Sequence, residues 1–219
     1  MMSDSLEVCL SGVTLELLSR RGVFWPDQKT LFVADTHFGK EASFRHHGLP
    51  VPKGTTSGTL DVIQTLLRRT EANQLVILGD MFHDESSLAV DVVDCLDSFF
   101  QQNRSIRFLL TKGNHDERLK SWPTDWPIEV VTEYRIGTVA LTHQPGQSDG
   151  QADLVLCGHI HPAYRIGGAT DSIGKLPCYW HSAKHLVLPA IGEFTGSHRI
   201  RKRKGDRVWL IAEGQVVEG

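Results

Sequence analysis

The chain has little that would place it in a membrane or brace it with disulfides. Its four cysteines lie far apart and form no CxxC pair: Cys9, Cys95, Cys157 and Cys178. We therefore predict that they are buried free thiols in a reducing compartment. No apolar run approaches the roughly 20 residues that a membrane-spanning helix needs, and the first residues lack the basic start of a signal peptide. Both features predict a cytoplasmic protein that does not bind a membrane.

The chain also lacks an excess of positive charge. Its formal net charge is -3, which excludes a polycationic protein, so any contact with nucleic acid requires a local basic patch. One patch is present, since residues 199–204 contain five lysines and arginines. Such a run fits both a binding surface for phosphates and a solvated hairpin tip. No aromatic-rich stretch accompanies it that would indicate stacking of unpaired bases.

What the sequence does contain is an alternation of strand and helix signals in an ordinary globular composition. Its 219 residues are 40% hydrophobic and 22% charged, which predicts a single domain spanning residues 1–219. Apolar runs at 30–34, 74–78 and 106–110 predict buried parallel strands, with amphipathic helices between them. Residues 37–57 are expected to form a polar loop. The second half carries mainly strand signals, so we predict an α/β fold of two packed sheets flanked by helices.

Five polar motifs stand directly after predicted strands. They are Asp-Thr-His at 35–37, Gly-Asp at 79–80, Gly-Asn-His-Asp at 113–116, Thr-His at 142–143 and Gly-His-Ile-His at 158–161. An isolated aspartate in such a place is usually a turn residue, and an isolated histidine is usually a surface or core residue. Five such clusters in this order instead indicate one shared site, because open α/β sheets bind ligands at the carboxyl ends of their strands.

The residue types in these motifs fit a pair of metal ions. Seven side chains offer oxygen or nitrogen ligands: Asp35, His37, Asp80, Asn114, His143, His159 and His161. Paired ions about 3.5–4 Å apart activate water and neutralise a phosphoryl group. They need a bridging carboxylate with imidazole and oxygen ligands around it. Asp80 stands alone after a strand and is the natural bridge.

His115 is the remaining histidine, and it follows the candidate ligand Asn114. If it binds no metal, it can protonate a leaving oxygen or stabilise phosphoryl oxygens. The neighbouring Asp116 has two equal interpretations: it holds the tautomer of His115, or it caps the following turn.

The order D-x-H, G-D, G-N-H-D, H and G-H-x-H resembles the signature of the calcineurin-like metallophosphoesterases. The resemblance implies a four-layer α-β-β-α fold with two mixed sheets, and a catalytic role for His115 on the leaving group. It implies a first metal bound by Asp35, His37, Asp80 and His161. It implies a second metal bound by Asp80, Asn114, His143 and His159.

Within that family, two motifs disfavour a protein phosphatase. Asp84 and Lys112 stand where that subgroup has arginines. The segments 34–40, 44–45, 79–84 and 188–196 resemble instead the bacterial ligase-associated DNA-damage-response endonucleases, over most of the chain. That resemblance implies DNA as substrate and DNA-repair proteins, a helicase or ligase, as partners.

We therefore predict a dinuclear metal-dependent phosphodiesterase of the nuclease type, in which a hydroxide bridging two divalent ions attacks phosphorus. Manganese is the preferred metal, with iron, zinc and nickel as alternatives. Candidate substrate-binding residues are Lys40, Arg45, Arg201 and Arg203. The alternatives are a small-molecule phosphomonoesterase or nucleotide phosphodiesterase, and a non-catalytic metal-binding scaffold. Retention of both Asn114 and His115 argues against the scaffold. The sequence makes no prediction of the oligomeric state.

Overall fold

The computed structural model describes residues 4–120, 122–148, 150–167 and 172–219. Within these ranges the chain forms three α-helices, namely Lys40–His46 (α1), Thr55–Thr70 (α2) and Val90–Gln102 (α3). The same ranges contain sixteen strands: Ser5–Leu10 (β1), Val13–Leu18 (β2), Val23–Trp25 (β3), Thr30–Ala34 (β4), Gln74–Leu78 (β5), Arg107–Thr111 (β6), Ile128–Val131 (β7), Tyr134–Ile136 (β8), Val139–Leu141 (β9), Leu154–Cys157 (β10), Pro162–Gly167 (β11), Ser172–Ser182 (β12), His185–Val187 (β13), His198–Arg199 (β14), Arg207–Ala212 (β15) and Gln215–Glu218 (β16). Short 3-10 turns lie at Pro26–Gln28, Glu85–Ser87 and Asp116–Arg118.

The first sheet contains β1 to β7 in chain order. Its strands β1 to β4 pair antiparallel, and β4 to β7 pair parallel. Every residue of β4 is buried, as expected for a parallel strand that is covered on both faces. The predicted parallel strands are confirmed, and their carboxyl ends lie at one edge of this sheet.

The second sheet is built from the remaining strands. Its path runs β14-β11-β12-β13-β10-β9-β8, with β15 and β16 attached beside β12. Here β9, β10 and β13 are parallel, whereas β12 pairs antiparallel with β11, β13 and β15. Because each sheet mixes both orientations, the expectation of two mixed sheets in an α/β fold is confirmed.

The two sheets pack face to face through one apolar core. Phe32 and Leu78 from the first sheet share this core with Tyr179 and Trp209 from the second. The opposite face of the first sheet packs against α-helices, where Ile63 of α2 joins a second core. All three α-helices contribute to that second core. Among the described residues no α-helix contributes to the small apolar clusters of the second sheet. The two mixed sheets are therefore flanked by helices on the first sheet, and the second helical layer of the expected four-layer arrangement is not found in the part of the chain that the structure describes.

Two local expectations were wrong. Residues 40–46 form α1 inside the segment expected to be a loop. Its Glu41 is buried, and Glu41 Oε1 accepts hydrogen bonds from the backbone N–H and the hydroxyl of Thr56, so a long-range contact stabilises this helix. The cysteines are free thiols, but Cys9 is exposed and only Cys157 and Cys178 are fully buried. Burial raises the pKa of Cys178 to about 12, so this thiol is unreactive.

None of the helices in the described residues has both the length and the apolar character that a helix needs to cross a bilayer.

One buried hydroxyl links the two sheets. Tyr179 Oη of β12 lies 2.6 Å from the carbonyl oxygen of Leu18 and 2.7 Å from that of Gly22. These carbonyls close the turn between β2 and β3, so the phenol donates its hydrogen bond across the core. Because the ring is completely buried, the hydroxyl has no water to bond to instead.

We expect Tyr179→Phe to lower the free energy of unfolding by about 1–2 kcal/mol, because it removes this hydrogen bond and keeps the ring. Urea denaturation monitored by fluorescence measures the change. Tyr164→Phe is the control, since no described residue hydrogen-bonds to that hydroxyl, and it should be neutral. Equal stability of the two variants would contradict the prediction.

Candidate metal centre

The candidate ligands follow strands whose carboxyl ends face a common space. Asp35 and Asp80 follow the parallel strands β4 and β5, and Asn114 comes shortly after β6. In the second sheet, His143 and His159 follow the parallel strands β9 and β10. The two remaining candidates stand two residues beyond Asp35 and His159. Both sheets therefore contribute side chains to one site, at the edge where α/β sheets bind ligands.

Two groups of side chains bring their ligand atoms together. The first group is Asp35, His37 and His161, and the second is Asp80, His143 and His159. Within each group the ligand atoms lie within 4.8 Å of one another. Asn114 joins the second group, because its Oδ1 lies 3.1 Å from His143 Nε2. Carboxylate, imidazole and amide oxygen are ligands that suit divalent transition metals.

The first group contains buried imidazole nitrogens, His37 Nδ1 and His161 Nε2, that have no hydrogen-bond partner among the described residues. His161 Nδ1 lies 3.0 Å from the carbonyl oxygen of Gly196, which can only accept, so Nδ1 carries the proton. His161 Nε2 is buried, lies 3.4 Å from Asp35 Oδ1 and has no hydrogen-bond partner among the described residues. Burial lowers the pKa of His161, but the Asp35 carboxylate outweighs it and raises that pKa, so positive charge is favoured between the two side chains. Burial also lowers the pKa of His37 to about 2, which keeps that ring neutral, the form that binds a metal. These features fit a cation between the three side chains.

The second group converges on His143. Its Nδ1 donates to the carbonyl oxygen of Leu78 at 3.2 Å. Its Nε2 lies 3.1 Å from Asn114 Oδ1, 3.1 Å from His159 Nδ1 and 3.4 Å from Asp80 Oδ2. Burial favours a neutral ring, yet the hydrogen bond to Asp80 and the nearby carboxylate charges raise the pKa of His143. A positive charge is thus favoured at this point, and a divalent metal ion would supply it.

Asp80 lies between the two groups. Its Oδ2 is 4.0 Å from His37 Nε2 in the first group and 3.4 Å from His143 Nε2 in the second. Burial opposes ionisation of this carboxyl, but hydrogen bonds from His143 and from the backbone N–H of His115 hold its pKa at about 2. The carboxylate is therefore ionised and faces both groups, as a bridging ligand must.

The backbone of the site is strained. Five of the seven candidate ligands have a positive φ, namely Asp35 (53°), His37 (42°), Asp80 (49°), His159 (69°) and His161 (50°). This conformation is uncommon for residues other than glycine and costs of order 1–3 kcal/mol each. Surrounding contacts must hold such residues in place. Strain of this kind is concentrated at functional sites, and here it turns side chains of adjacent strands toward the same space.

Two glycines allow the ligands to come this close. A Cβ on Gly79, whose φ is +76°, would lie 2.0 Å from His143 Nδ1. A Cβ on Gly113 would lie 2.2 Å from Asp80 Oδ1. Any side chain at these positions would therefore displace a candidate ligand, which explains why Gly precedes the polar residue in both motifs.

His115 is oriented toward the same space without belonging to either group. Its Nδ1 lies 2.6 Å from the carbonyl oxygen of His83 and therefore donates to it. Its Nε2 lies 3.9 Å from Asp80 Oδ2. The ring also stacks on that of His83, with centroids 4.8 Å apart. These contacts fix the tautomer and leave Nε2 facing the site.

The carboxylate of Asp116 accepts hydrogen bonds from the backbone and not from the ring of His115. Its two carboxylate oxygens accept the backbone N–H groups of Phe82 at 3.1 Å and Gly113 at 3.0 Å. Burial raises the pKa of this carboxyl to about 6, against the effect of those backbone donors. The partner of the His115 ring is the carbonyl of His83, so Asp116 instead joins the loop after β5 to the loop after β6.

The candidate substrate-binding residues divide into two sets. Lys40, at the start of α1, is half-buried, and its charge lowers the pKa of His37. Arg201 and Arg203 line a cleft that also contains His159. Arg45 differs, because its guanidinium pairs at 3.7 Å with Asp91, a carboxylate that it shares with Lys53. Lys40 therefore lies near the first ligand group, whereas Arg201 and Arg203 share a cleft with one residue of the second.

One residue beside the site, Trp180, and one backbone contact, from the carbonyl of His83, were not predicted by sequence analysis. Trp180 of β12 lines the same cleft as His159, although it lies well before the basic run in the chain. The carbonyl of His83 orients His115, and a backbone carbonyl has no sequence signal. Only the pairing of distant strands brings Trp180 into this position.

A site of this composition at the ends of two packed sheets defines a metal-dependent phosphohydrolase. Residues 28–140, just over half of the chain, match the family described as calcineurin-like phosphoesterase. The crystal structure of the nuclease MPE from Pseudomonas putida is also similar, with a TM-score of 0.85 and 31% identity, covering 98% of this chain and 100% of that chain. The chain belongs to the calcineurin-like phosphoesterase family.

Other comparisons are weaker. The phosphoesterase Yfce from E. coli has 16% identity and a TM-score of 0.36, covering 84% of this chain and 88% of that chain. An uncharacterized, predicted phosphoesterase from Streptococcus pneumoniae has 15% identity and a TM-score of 0.35, covering 87% and 95%. At these TM-scores neither match bears on function. No protein of curated function matches the sequence.

We expect Gly79→Ala to reduce metal content and activity by at least about tenfold, because the added methyl group would overlap the ring of His143. Gly137→Ala is a matched control, since Gly137 also has a positive φ (+59°) but a Cβ there meets nothing within 4 Å. Both substitutions place a Cβ at a positive φ and therefore strain the backbone. Thermal unfolding of the two variants measures the loss of stability that this strain causes, so that it can be separated from the loss of metal. Elemental analysis and diester hydrolysis measure the result. Similar losses in both variants would contradict the steric explanation.

Proposed function

We propose that this phosphohydrolase cleaves phosphodiester bonds of nucleic acid with two divalent metal ions. The observation that carries this proposal is the pair of ligand groups joined by Asp80, with Nε2 of His115, a residue of neither group, 3.9 Å from Asp80 Oδ2. Similarity to a nuclease over nearly the whole chain supports the choice of substrate. Because both sheets contribute to the site, residues 1–219 would act as one domain.

Each metal ion would have four protein ligands. Asp35, His37, His161 and Asp80 would hold the first ion, and Asp80, Asn114, His143 and His159 would hold the second. When bound, such ions supply Lewis acidity toward phosphoryl oxygens and make water nucleophilic at neutral pH. Manganese is the metal we propose, since imidazole, carboxylate and amide oxygen suit it and availability decides among similar ions.

The chain's own catalytic group is His115. Its Nδ1–H is held by the carbonyl of His83, so Nε2 is the atom that exchanges protons with the substrate. When protonated, Nε2 delivers its proton to the oxygen of the departing alcohol. Asp116 is a positioning residue in this scheme: it holds the loop that carries His115 against the loop after β5. Lys40 adds a positive charge near the scissile phosphate.

The cellular setting follows from resemblance rather than from contacts. Similarity to the ligase-associated endonucleases supports a role in DNA repair beside a helicase or ligase, in the cytoplasm. A small-molecule phosphoesterase would share the metal centre but would not need the basic cleft beside it. Comparing a monoester, a simple diester, a cyclic nucleotide and DNA as substrates separates these functions.

Metal removal should abolish activity, and added Mn²⁺ should restore it better than iron, zinc or nickel. Asp80→Ala should remove both ions and lower diester hydrolysis by more than about 100-fold, because both groups share this carboxylate. Asp125→Ala, which removes an exposed carboxylate elsewhere, is the control. Metal content by mass spectrometry and hydrolysis of a nitrophenyl diester are the readouts. Full activity after chelation would refute the metal-dependent mechanism.

His115→Ala should retain both metal ions, and its loss of activity should depend on the leaving group of the substrate. Departure of an alkoxide needs a proton, so we expect a loss of about 100-fold or more with DNA. Departure of a nitrophenolate needs no proton, so the loss with a nitrophenyl diester should stay below about tenfold. Rates on both substrates, with metal content measured in parallel, test the role. Equal losses on both substrates would exclude protonation of the leaving group.

A further inference from the structure

A cleft of about 640 Å³ opens beside the second ligand group. His159, a candidate metal ligand, lines it together with Trp180, Arg199, Arg201 and Arg203. The cleft therefore joins the metal centre directly to the basic run of residues 199–204. No step of the mechanism proposed above uses this cleft.

The strand that carries the first of these arginines is anchored to the metal-ligand loop. The backbone N–H of His198 donates to the carbonyl oxygen of His161 at 2.9 Å, and β14 pairs parallel with β11. Ile200 is buried in an apolar cluster, whereas Arg199 and Arg201 on either side of it are exposed. Alternation of side chains along an extended segment thus turns both arginines outward, at a fixed distance from the metal centre.

Trp180 and Arg203 are held to each other by one carboxylate. Asp206 Oδ2 accepts the indole N–H of Trp180 at 3.0 Å and the backbone N–H of Arg203 at 2.9 Å. Burial opposes ionisation of Asp206, but these donors lower its pKa, so it is a charged acceptor at neutral pH. The aromatic wall and the basic wall of the cleft are therefore fixed relative to each other.

The positive charge of the cleft is available to a ligand. In the part of the chain that the structure describes, no carboxylate forms an ion pair with the guanidinium groups of Arg199, Arg201 or Arg203, although Asp206 is close enough to interact with the charge of Arg203. Arg45 contrasts with them, because its guanidinium pairs with Asp91 at 3.7 Å. Three exposed guanidinium groups beside an aromatic ring match the chemistry of a nucleotide, which combines a phosphate with a flat base.

We propose that this cleft is a subsite for the nucleotide next to the scissile phosphate, in which the arginines bind backbone phosphates and Trp180 stacks on an unpaired base. The inference rests on the proposed function, since it names how the same site holds a polynucleotide. Stacking on Trp180 requires a base that is not paired, so the subsite binds a single strand. A duplex would contact only the arginines.

The test compares two double variants of equal charge. Arg201→Gln with Arg203→Gln removes two cations from the cleft. Arg68→Gln with Arg104→Gln removes two exposed cations that lie outside both the cleft and the basic run. Binding of a fluorescent single-stranded oligonucleotide is measured by anisotropy without divalent metal, so that turnover plays no part. Cleavage of the same strand and of a nitrophenyl diester is then measured with Mn²⁺, and thermal unfolding reports on stability.

We expect the cleft variant to bind the strand at least about tenfold more weakly and to show a salt dependence shallower by about 1.4 in log-log slope. Its strand cleavage should fall at least about tenfold more than its diester hydrolysis, while the control variant matches the wild type. Trp180→Leu should weaken binding of the single strand more than binding of the matching duplex, by loss of about 1–3 kcal/mol of stacking.

Three results would overturn the subsite. In the first, the wild type and the cleft variant cleave the strand equally well. This result would leave the proposed nuclease function intact. The second is an equal loss on strand and small diester, which places the arginines at the metal centre instead. The third is tighter binding of duplex than of single strand with no dependence on Trp180. Wild type that hydrolyses the diester but neither binds nor cleaves polynucleotides would refute the proposed function and the subsite together.

Discussion

Electron-rich atoms from two sheets meet around His143 Nε2, and this convergence constrains the rest of the site. An amide oxygen, an imidazole nitrogen and a carboxylate oxygen all lie within 3.4 Å of it. Burial favours a neutral His143 ring, but the neighbouring carboxylates raise its pKa, so a positive charge is favoured among these atoms. A divalent cation held there would supply that charge. Binding of a cation at this point would therefore also stabilise the local structure.

Backbone geometry provides that arrangement. Five candidate ligands have positive φ values. This backbone conformation turns their side chains toward one common space, instead of letting them alternate between the two faces of the sheet. Gly79 and Gly113 leave room for the neighbouring His143 and Asp80. The strain is offset by the packed sheets behind it, which Tyr179 joins across the core. A site that depended on loops alone would relax from these conformations.

Sequence patterns predicted the parts of this protein that short segments determine. The strand before Asp35 and the strand before Asp80 are continuous apolar runs, so the motifs after them were placed correctly at one sheet edge. The helix α1 was missed because Glu41 is stabilised by a contact with Thr56, distant in the chain. The orientation of His115 was missed because it depends on a carbonyl. The cleft was not predicted because it depends on the pairing of β12 with β15, which brings Trp180 beside the turn at Arg203.

The two sheets contribute different functions to one reaction. Loops of the first sheet carry Asp80 and His115, which lie where bonds would break. The second sheet carries His159 and, through β14, the basic run that would hold the strand. Since His161 accepts a hydrogen bond from His198, a substrate bound in the cleft is connected through backbone to a candidate metal ligand. Binding energy gained on the arginines can thus position the phosphate at the metal centre, where proximity lowers the barrier.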